Sequence, residues 1–251
     1  MSKFQQTVDR LTGVPGIGPA LAARLARAGV RTRADLRKTT IRLPAATHAE
    51  LDYAPCRAIP LAVARHLATD LAGRLRIGGR RPQRIRAVGS VRRGEPQSGD
   101  IDLLVESSAD WADEIEFSGR GPEIVTQISG GGRQRMLVVW VPGLHCGRTG
   151  RKPVHGGAGR GEYVRVDLFR TTAAEWPFAL LHFSNGAAYE KKVRAHAKRQ
   201  NLLLNDRGLY TRLAGDKAGP PVRAPAGGWT ERAILERIGL TYRSPAARSG
   251  T

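Results

Sequence analysis

Two aspartates separated by a single residue, Asp100 and Asp102 in SGDIDLLVE (98–106), constrain this chain more than any other feature. The apolar residues around and after them, Ile101 and Leu103 to Val105, read as a short strand buried on both faces. On a strand, residues i and i+2 project to the same side. Both carboxylates therefore emerge together at the start of a core strand, where they repel each other and gain strongly from a divalent cation. Magnesium, which takes oxygen ligands, is the natural choice. The preceding GSVRRG (89–94) offers backbone N–H groups, the Ser90 hydroxyl and two guanidiniums, all suited to phosphate oxygens. Carboxylates for a metal beside donors for phosphate describe a site for a metal-bound triphosphate. The matching chemistry is attack of a hydroxyl on the α-phosphate.

A third carboxylate is expected from a neighbouring strand, and YVRVDLF (163–169) supplies Asp167 in an otherwise apolar run. An acid there needs a partner, which a metal shared with Asp100 and Asp102 provides. The rest of the chain is strongly basic, with 41 Lys and Arg against 22 Asp and Glu and a formal net charge of +19. That balance suits a polyanion, and nucleic acid first. The charge is spread along the chain, so it belongs to the surface of folded domains. The two cysteines, Cys56 and Cys146, have no CxxC or Cys/His spacing; neither a disulfide framework nor a zinc site at His145, Cys146 and His155 is expected. No apolar stretch reaches the length of a membrane span, and the N-terminus lacks a signal-peptide core. A soluble intracellular protein is expected.

The chain's periodicity changes twice, which predicts an α+β architecture. Helical spacing runs through the first part: a short helix at 4–11, a Gly-rich hairpin, a helix opened by Pro19 and ended by Gly29, and a helix opened by Thr32 and Asp35 as a capping box. Two more helices are expected near 48–54 and 60–75, and GGRRP (78–82) reads as a boundary. Strands follow at 84–88, 101–105, 123–128, 135–141 and 163–169, with SGGGRQR (129–135) as a hairpin turn and a Gly-rich basic loop at 143–162. Helices then return at about 173–182 and 187–200, followed by a strand pair near 201–211, a Pro/Gly stretch and a last helix at 230–238. The expected organisation is a helical subdomain over 1–83, a catalytic sheet over 84–171 and a C-terminal α+β subdomain over 172–251.

GSVRRGEPQSGDIDLLVE (89–106) closely resembles the signature of family X DNA polymerases, the polymerase-beta-like group. The resemblance extends, in order, through LTGVPGIGPALAARLARAGVRTRADLRK (helix-hairpin-helix), RVDLF (third aspartate) and ALLHFSNGAAYEKKVRAHAKRQNLLLNDRGLY (the segment holding the nascent base pair) to TERAILERIGLTYRSPAARS at the C-terminal end. It implies that Asp100, Asp102 and Asp167 ligate two magnesium ions, with manganese as a substitute, and that Asp167 helps activate a primer 3′-OH. Gly89, Ser90, Arg93, Ser98 and Gly99 would hold the phosphates, and His182, Phe183, Asn185 and Gly186 would line the sugar and base of the incoming dNTP. Lys191, Arg194 and Arg165 would contact DNA. The carbonyls of Thr12, Val14 and Ile17 would bind a monovalent cation bridging to a primer phosphate; Gly13, Gly16 and Gly18 let the backbone approach DNA closely.

Departures from the family pattern carry their own expectations. FSNG (183–186) replaces the usual Phe-Thr-Gly-Ser of the nucleotide pocket, and Ala187 and Glu190 stand where residues touching the base are common. Leu61 stands at a position where a basic phosphate contact occurs. Barely ten residues precede the hairpin, so no lyase domain and no deoxyribose-phosphate lyase activity are expected. The short turn at 129–135 argues for template-directed synthesis, and the basic loop would hold DNA through Lys152. The expected protein is a monomeric polymerase that fills gaps in primer-template DNA in the nucleus or another site of DNA repair, with a viral source compatible. The alternatives are a template-independent nucleotidyltransferase and a non-catalytic DNA-binding protein.

Overall fold

The computed structural model describes residues 1–108, 111, 114–146 and 160–249. Lys152 and His155, within the basic loop, lie outside the described residues.

The N-terminal helices are α1 (Lys3–Thr12), α2 (Pro19–Arg27), α3 (Arg33–Lys38) and α4 (Ala45–Tyr53). Each boundary has a local cause. Ser2 accepts from the Gln5 amide to cap α1, and Pro19 opens α2. Gly29 leaves α2 at φ +84. Thr32 and Asp35 form the expected reciprocal capping box, which holds the Asp35 carboxyl below its usual range through amide donors from Arg31 and Thr32. Leu11, Ile17, Ala22, Leu25 and Leu36 close a small apolar core among these helices. Gly16, at φ +83, turns the hairpin where an added Cβ would lie 2.9 Å from Thr47 Oγ1.

A short strand β1 (Ile59–Pro60) leads into α5 (Leu61–Arg74) and β2 (Leu75–Ile77). Next come β3 (Arg84–Ala87), α6 (Gly89–Arg93), β4 (Gln97–Ser98), β5 (Ile101–Glu106), β6 (Ile115–Phe117), β7 (Glu123–Gly131), β8 (Gln134–Pro142) and β9 (Gly161–Thr171). Five of these strands form a mixed sheet in the order β3-β5-β9-β8-β7, in which only β5 and β9 run parallel. β1 pairs with β4, and β2 with β6. Inward alternation sorts the sheet's two faces. Ile101, Leu103, Val105, Val166 and Leu168 pack with Leu67 and Leu71 of α5 in the largest core. The opposite face carries Asp102 and Leu104 on β5, and Tyr163, Arg165, Asp167 and Phe169 on β9.

Among the described residues, apolar packing covers that second face toward its two ends. α7 (Trp176–Ser184) packs on Leu104 and Phe169 through Trp176, Ala179 and Phe183. At the other end Ala49 and Tyr53 of α4 meet Val138, Trp140 and Tyr163. The acids lie between these covers. The chain finishes with α8 (Ala187–Arg199), β10 (Leu202–Leu204), β11 (Leu209–Leu213), β12 (Lys217–Pro221) and α9 (Glu231–Arg237), which share a third core around Leu181, Tyr189, Val193, Leu209 and Ile234.

The GSVRR segment, to which no element was assigned above, is a one-turn helix. Three local expectations change. α7 begins three residues later than the sequence suggests and runs to Ser184. The expected strand pair near 201–211 is a three-stranded antiparallel sheet, because the Pro/Gly stretch contributes β12 at its exposed edge, where a missing N–H costs nothing. Cys56 and Cys146 form a disulfide, with Cα atoms 6.3 Å apart. Their separation of 90 residues hides this pairing from any spacing rule. No helix among the described residues is long and apolar enough to cross a membrane.

Candidate active site

The parallel register of β5 and β9 places Asp102 directly beside Asp167, with Ile101 beside Val166. Asp100, just before β5, projects to the same side. Oxygens of the three carboxylates lie within 4.8 Å of one another, close enough to share a metal ion. Hard oxygen donors at the buried end of a sheet suit magnesium, and the residues present fit it. Burial pushes the Asp102 carboxyl up to about 7; repulsion from Asp167 adds to this and Arg93 opposes it. Burial also raises Asp167, against the pull of Arg165. Asp167 Oδ1 is buried with no hydrogen-bond partner. Such a set is costly until a cation satisfies it.

Arg165, two residues before Asp167 on the same face of β9, provides part of that charge. Its guanidinium pairs with Asp100 and lies 3.5 Å from Asp167 Oδ1. The sequence suggested a DNA contact for this residue; the structure places it within the carboxylate cluster.

α6 sits against the acids from the side. Gly89 starts it at φ +58, and a Cβ added there would collide with the Asp102 carboxylate. Only glycine allows this approach, which brings the N-terminal turn of α6 and Ser90 beside the three carboxylates. Ser90 Oγ lies 2.5 Å from Ser98 Oγ, and Ser98 Oγ donates to the Asp100 carbonyl at 2.5 Å. Gly99 is exposed beside Asp100. Arg93 donates to the Asn185 carbonyl at 3.3 Å, and Arg92 donates to Ser184 Oγ at 2.6 Å. The phosphate-type donors of α6 and the turn between α7 and α8 thus border the same carboxylates.

His182 and Phe183 lie in the last turn of α7, and Asn185 and Gly186 form the turn into α8. Phe183 stacks on Phe169, two residues along β9 from Asp167, at a centroid distance of 4.0 Å. The Gly186 amide donates to the Arg248 carbonyl at 3.0 Å. Lys191 and Arg194 are exposed on one side of α8, spaced for neighbouring phosphate contacts.

A cleft of about 230 Å³ runs from Asp100, Gly99 and Arg165 to Pro15 in the hairpin, walled by Ala46, Ala49 and Glu50 of α4. Gly13, Gly16 and Gly18 are exposed in that hairpin. The Val14 carbonyl accepts from the Ile17 amide at 3.1 Å, which tightens the turn carrying the carbonyls of Thr12, Val14 and Ile17.

Two features escaped the sequence reading. Glu190, seen there as a departure, is bonded to His182, Asn185 and Arg194; its i,i+4 spacing to Arg194 was the available signal. Glu231 joins Arg92 to the buried Arg248, a link across 139 residues with no local trace.

Comparisons with known proteins agree on one family. Residues 179–249 match the model of the DNA polymerase beta thumb, and residues 8–46 match the SAM-like helix-hairpin-helix tandem. The chain is 28% identical over 172 residues to a repair DNA polymerase X of African swine fever virus, covering 64% of this chain and 79% of the relative. A second isolate's repair DNA polymerase X is 26% identical over 167 residues, covering 65% of this chain and 80% of the relative. DNA polymerase lambda of Rattus norvegicus is 30% identical over 176 residues, which cover 64% of this chain and 28% of that longer protein. With the thumb and hairpin segments matched at either end and the three-aspartate sheet between them, the chain is similar to the family X DNA polymerases, the polymerase-beta-like group.

Proposed function

We propose that this protein is a DNA polymerase of DNA repair, which adds a dNMP to a primer 3′-OH opposite a template base in short gaps. The observation that carries the reading is the register of Asp102 beside Asp167, with Asp100 within sharing distance, next to a glycine that leaves no room for a side chain. Asp100, Asp102 and Asp167 would hold magnesium, or manganese in its place; the bound metal would lower the pKa of the 3′-OH and neutralise charge on the phosphates. Gly89, Ser90, Arg93, Ser98 and Gly99 bind and orient the β and γ phosphates from α6 and the segment before β5. Asp167, on the primer side, would take up the proton of the 3′-OH as its oxygen bonds to the α-phosphorus, the bond to the bridging oxygen breaks and pyrophosphate leaves. His182, Phe183, Asn185 and Gly186 form the wall against the incoming nucleotide. The hairpin at 12–18, with a monovalent cation on its carbonyls, and the cations Lys191, Arg194 and Arg165 position the strands.

In this reading residues 1–83 grip DNA, 84–171 carry the chemistry and 172–251 close on the nucleotide, and the protein acts as a monomer where DNA is repaired. The β7–β8 turn is short, with Gly131 paired to Gln134, which leaves no long loop to take the place of a template strand. The test is extension of a primer in a one-nucleotide gapped duplex, with each dNTP singly and magnesium. The wild type should add the matching nucleotide, and Asp102→Ala should lose at least about 100-fold in rate. Addition of all four dNTPs alike would favour a template-independent transferase, and no addition by the wild type would sink the polymerase reading.

A further inference from the structure

One carboxylate gathers three polar side chains at the α7–α8 turn. Glu190 Oε1 lies 2.8 Å from His182 Nδ1 and accepts from Arg194 Nε at 2.7 Å. Its other oxygen, Oε2, accepts from Asn185 Nδ2 at 2.8 Å. Burial pushes the Glu190 carboxyl up, but the bonds from His182, Asn185 and Arg194 outweigh it and hold the group below its usual range. An ionised carboxylate only accepts. It therefore places the His182 proton on Nδ1 and turns the Asn185 amide nitrogen toward itself. The other end of that amide, Oδ1, is buried without a partner, so the side chain's orientation depends on Glu190.

These side chains border the reacting centre. Phe183, between His182 and Asn185, stacks on Phe169 of the aspartate face, and His182 meets the Phe183 ring edge-on at 4.7 Å. The Asn185 carbonyl accepts from Arg93, whose charge bears on Asp102. A rigid wall here discriminates among nucleotides by shape; a loose one does not.

We propose that Glu190 is a positioning residue for sugar selection: by holding His182, Asn185 and Arg194 it sets the wall that meets the sugar of the incoming nucleotide and rejects ribose. The inference rests on the polymerase reading, and its test separates the two. Values of kcat and KM for the matching dNTP and rNTP are measured on the gapped duplex for wild type, Glu190→Ala and Glu190→Gln, alongside thermal unfolding. Glu190→Ala should raise the dNTP KM more than it lowers kcat, and cut the preference for dNTP over rNTP by about tenfold. Glu190→Gln keeps the shape and one acceptor oxygen and should recover part of that preference; if Glu190→Ala does not fold, the loss in Glu190→Gln relative to wild type decides. Variants with wild-type preference and KM, even with lowered thermal midpoints, would overturn the inference and leave the polymerase reading standing. A wild type that extends no primer would overturn both.

Discussion

Asp102 shows how a residue's placement sets a dependence on pH. In the metal-free protein its carboxyl keeps its proton to about pH 7, against the ordinary aspartate value of 3.8 that an unfolded chain would show. Between those values the folded state binds the extra proton, so stability falls as pH rises, and the destabilisation is complete above about pH 7. Asp167 is shifted in the same direction. For Asp102 alone, the full shift corresponds to about 4 kcal/mol. Urea unfolding in the presence of a chelator should therefore show wild-type stability declining from pH 5 to pH 8. Asp102→Asn, which carries no charge at any pH, should flatten that decline and exceed the wild type at pH 8. Added magnesium should return stability to the wild type at pH 8 by binding the folded state alone. Equal pH slopes in the wild type and the variant would mean that the carboxyl is not strained.

At the scale of elements, α6 is too short to persist by itself, since a helix of five residues barely passes nucleation. It is tied down by Arg92, whose guanidinium donates to both oxygens of Glu231 at 2.9 and 2.5 Å; Glu231 also takes a bond from Arg248 at 2.5 Å. Arg248 is fully enclosed. Burial raises the Glu231 carboxyl, and the bonds and charges of the two arginines more than offset this and lower it. Removing the carboxylate strands two enclosed cations. Glu231→Ala should cost about 3–5 kcal/mol in chemical denaturation, and a loss under about 1 kcal/mol would show that the link is dispensable. The contrast between this link and the capping box at Thr32 explains what a sequence reveals. Thr32 and Asp35 are three residues apart, and their bond is a property of the local chain, so the start of α3 was legible. The strands of Asp102 and Asp167 were legible as apolar runs, and their shared chemistry as acids in the wrong place. Their register, which makes them neighbours, depends on pairing across 65 positions and was not. Nor was β12, because proline and glycine speak against a strand in general and only its exposed edge position removes the objection. Glu190 fell between these cases: its pairing with Arg194 is local, but its hold on His182 and Asn185 exists only once α7 and α8 meet.

The molecule as a whole carries three main apolar cores, and the proposed function requires that they hold the hairpin, the acids and the α7–α8 turn in fixed relation. Among the described residues, α4 links the helical core to the sheet through Ala49 and Tyr53, which pack on Val138, Trp140 and Tyr163. Cys56 follows α4, donates its amide to the Tyr163 carbonyl at 2.8 Å and is bonded to Cys146 beyond β8. Arg57, next in sequence, pairs with Glu50 of α4 at 2.8 Å. Both side chains of the disulfide pack at the border of the sheet's core. A cross-link spanning 90 residues removes much of the freedom of the unfolded chain, and in the chain-entropy account this contributes about 2–4 kcal/mol. The oxidised protein should show no free thiol when denatured and alkylated without reductant. Reduction, or Cys56→Ser, should lower its thermal midpoint by several degrees. Two titratable thiols in the air-oxidised protein would show that the bond does not form. An unchanged midpoint would show that the packing of Ala49 and Tyr53 on Val138, Trp140 and Tyr163 holds the helical core to the sheet without it. The sense of the effect follows from where the bond lies: it ties the segment that follows α4 to the segment that follows β8, so its loss should loosen α4 and the hairpin side of the site before it disturbs the carboxylates, which are fixed by the sheet itself.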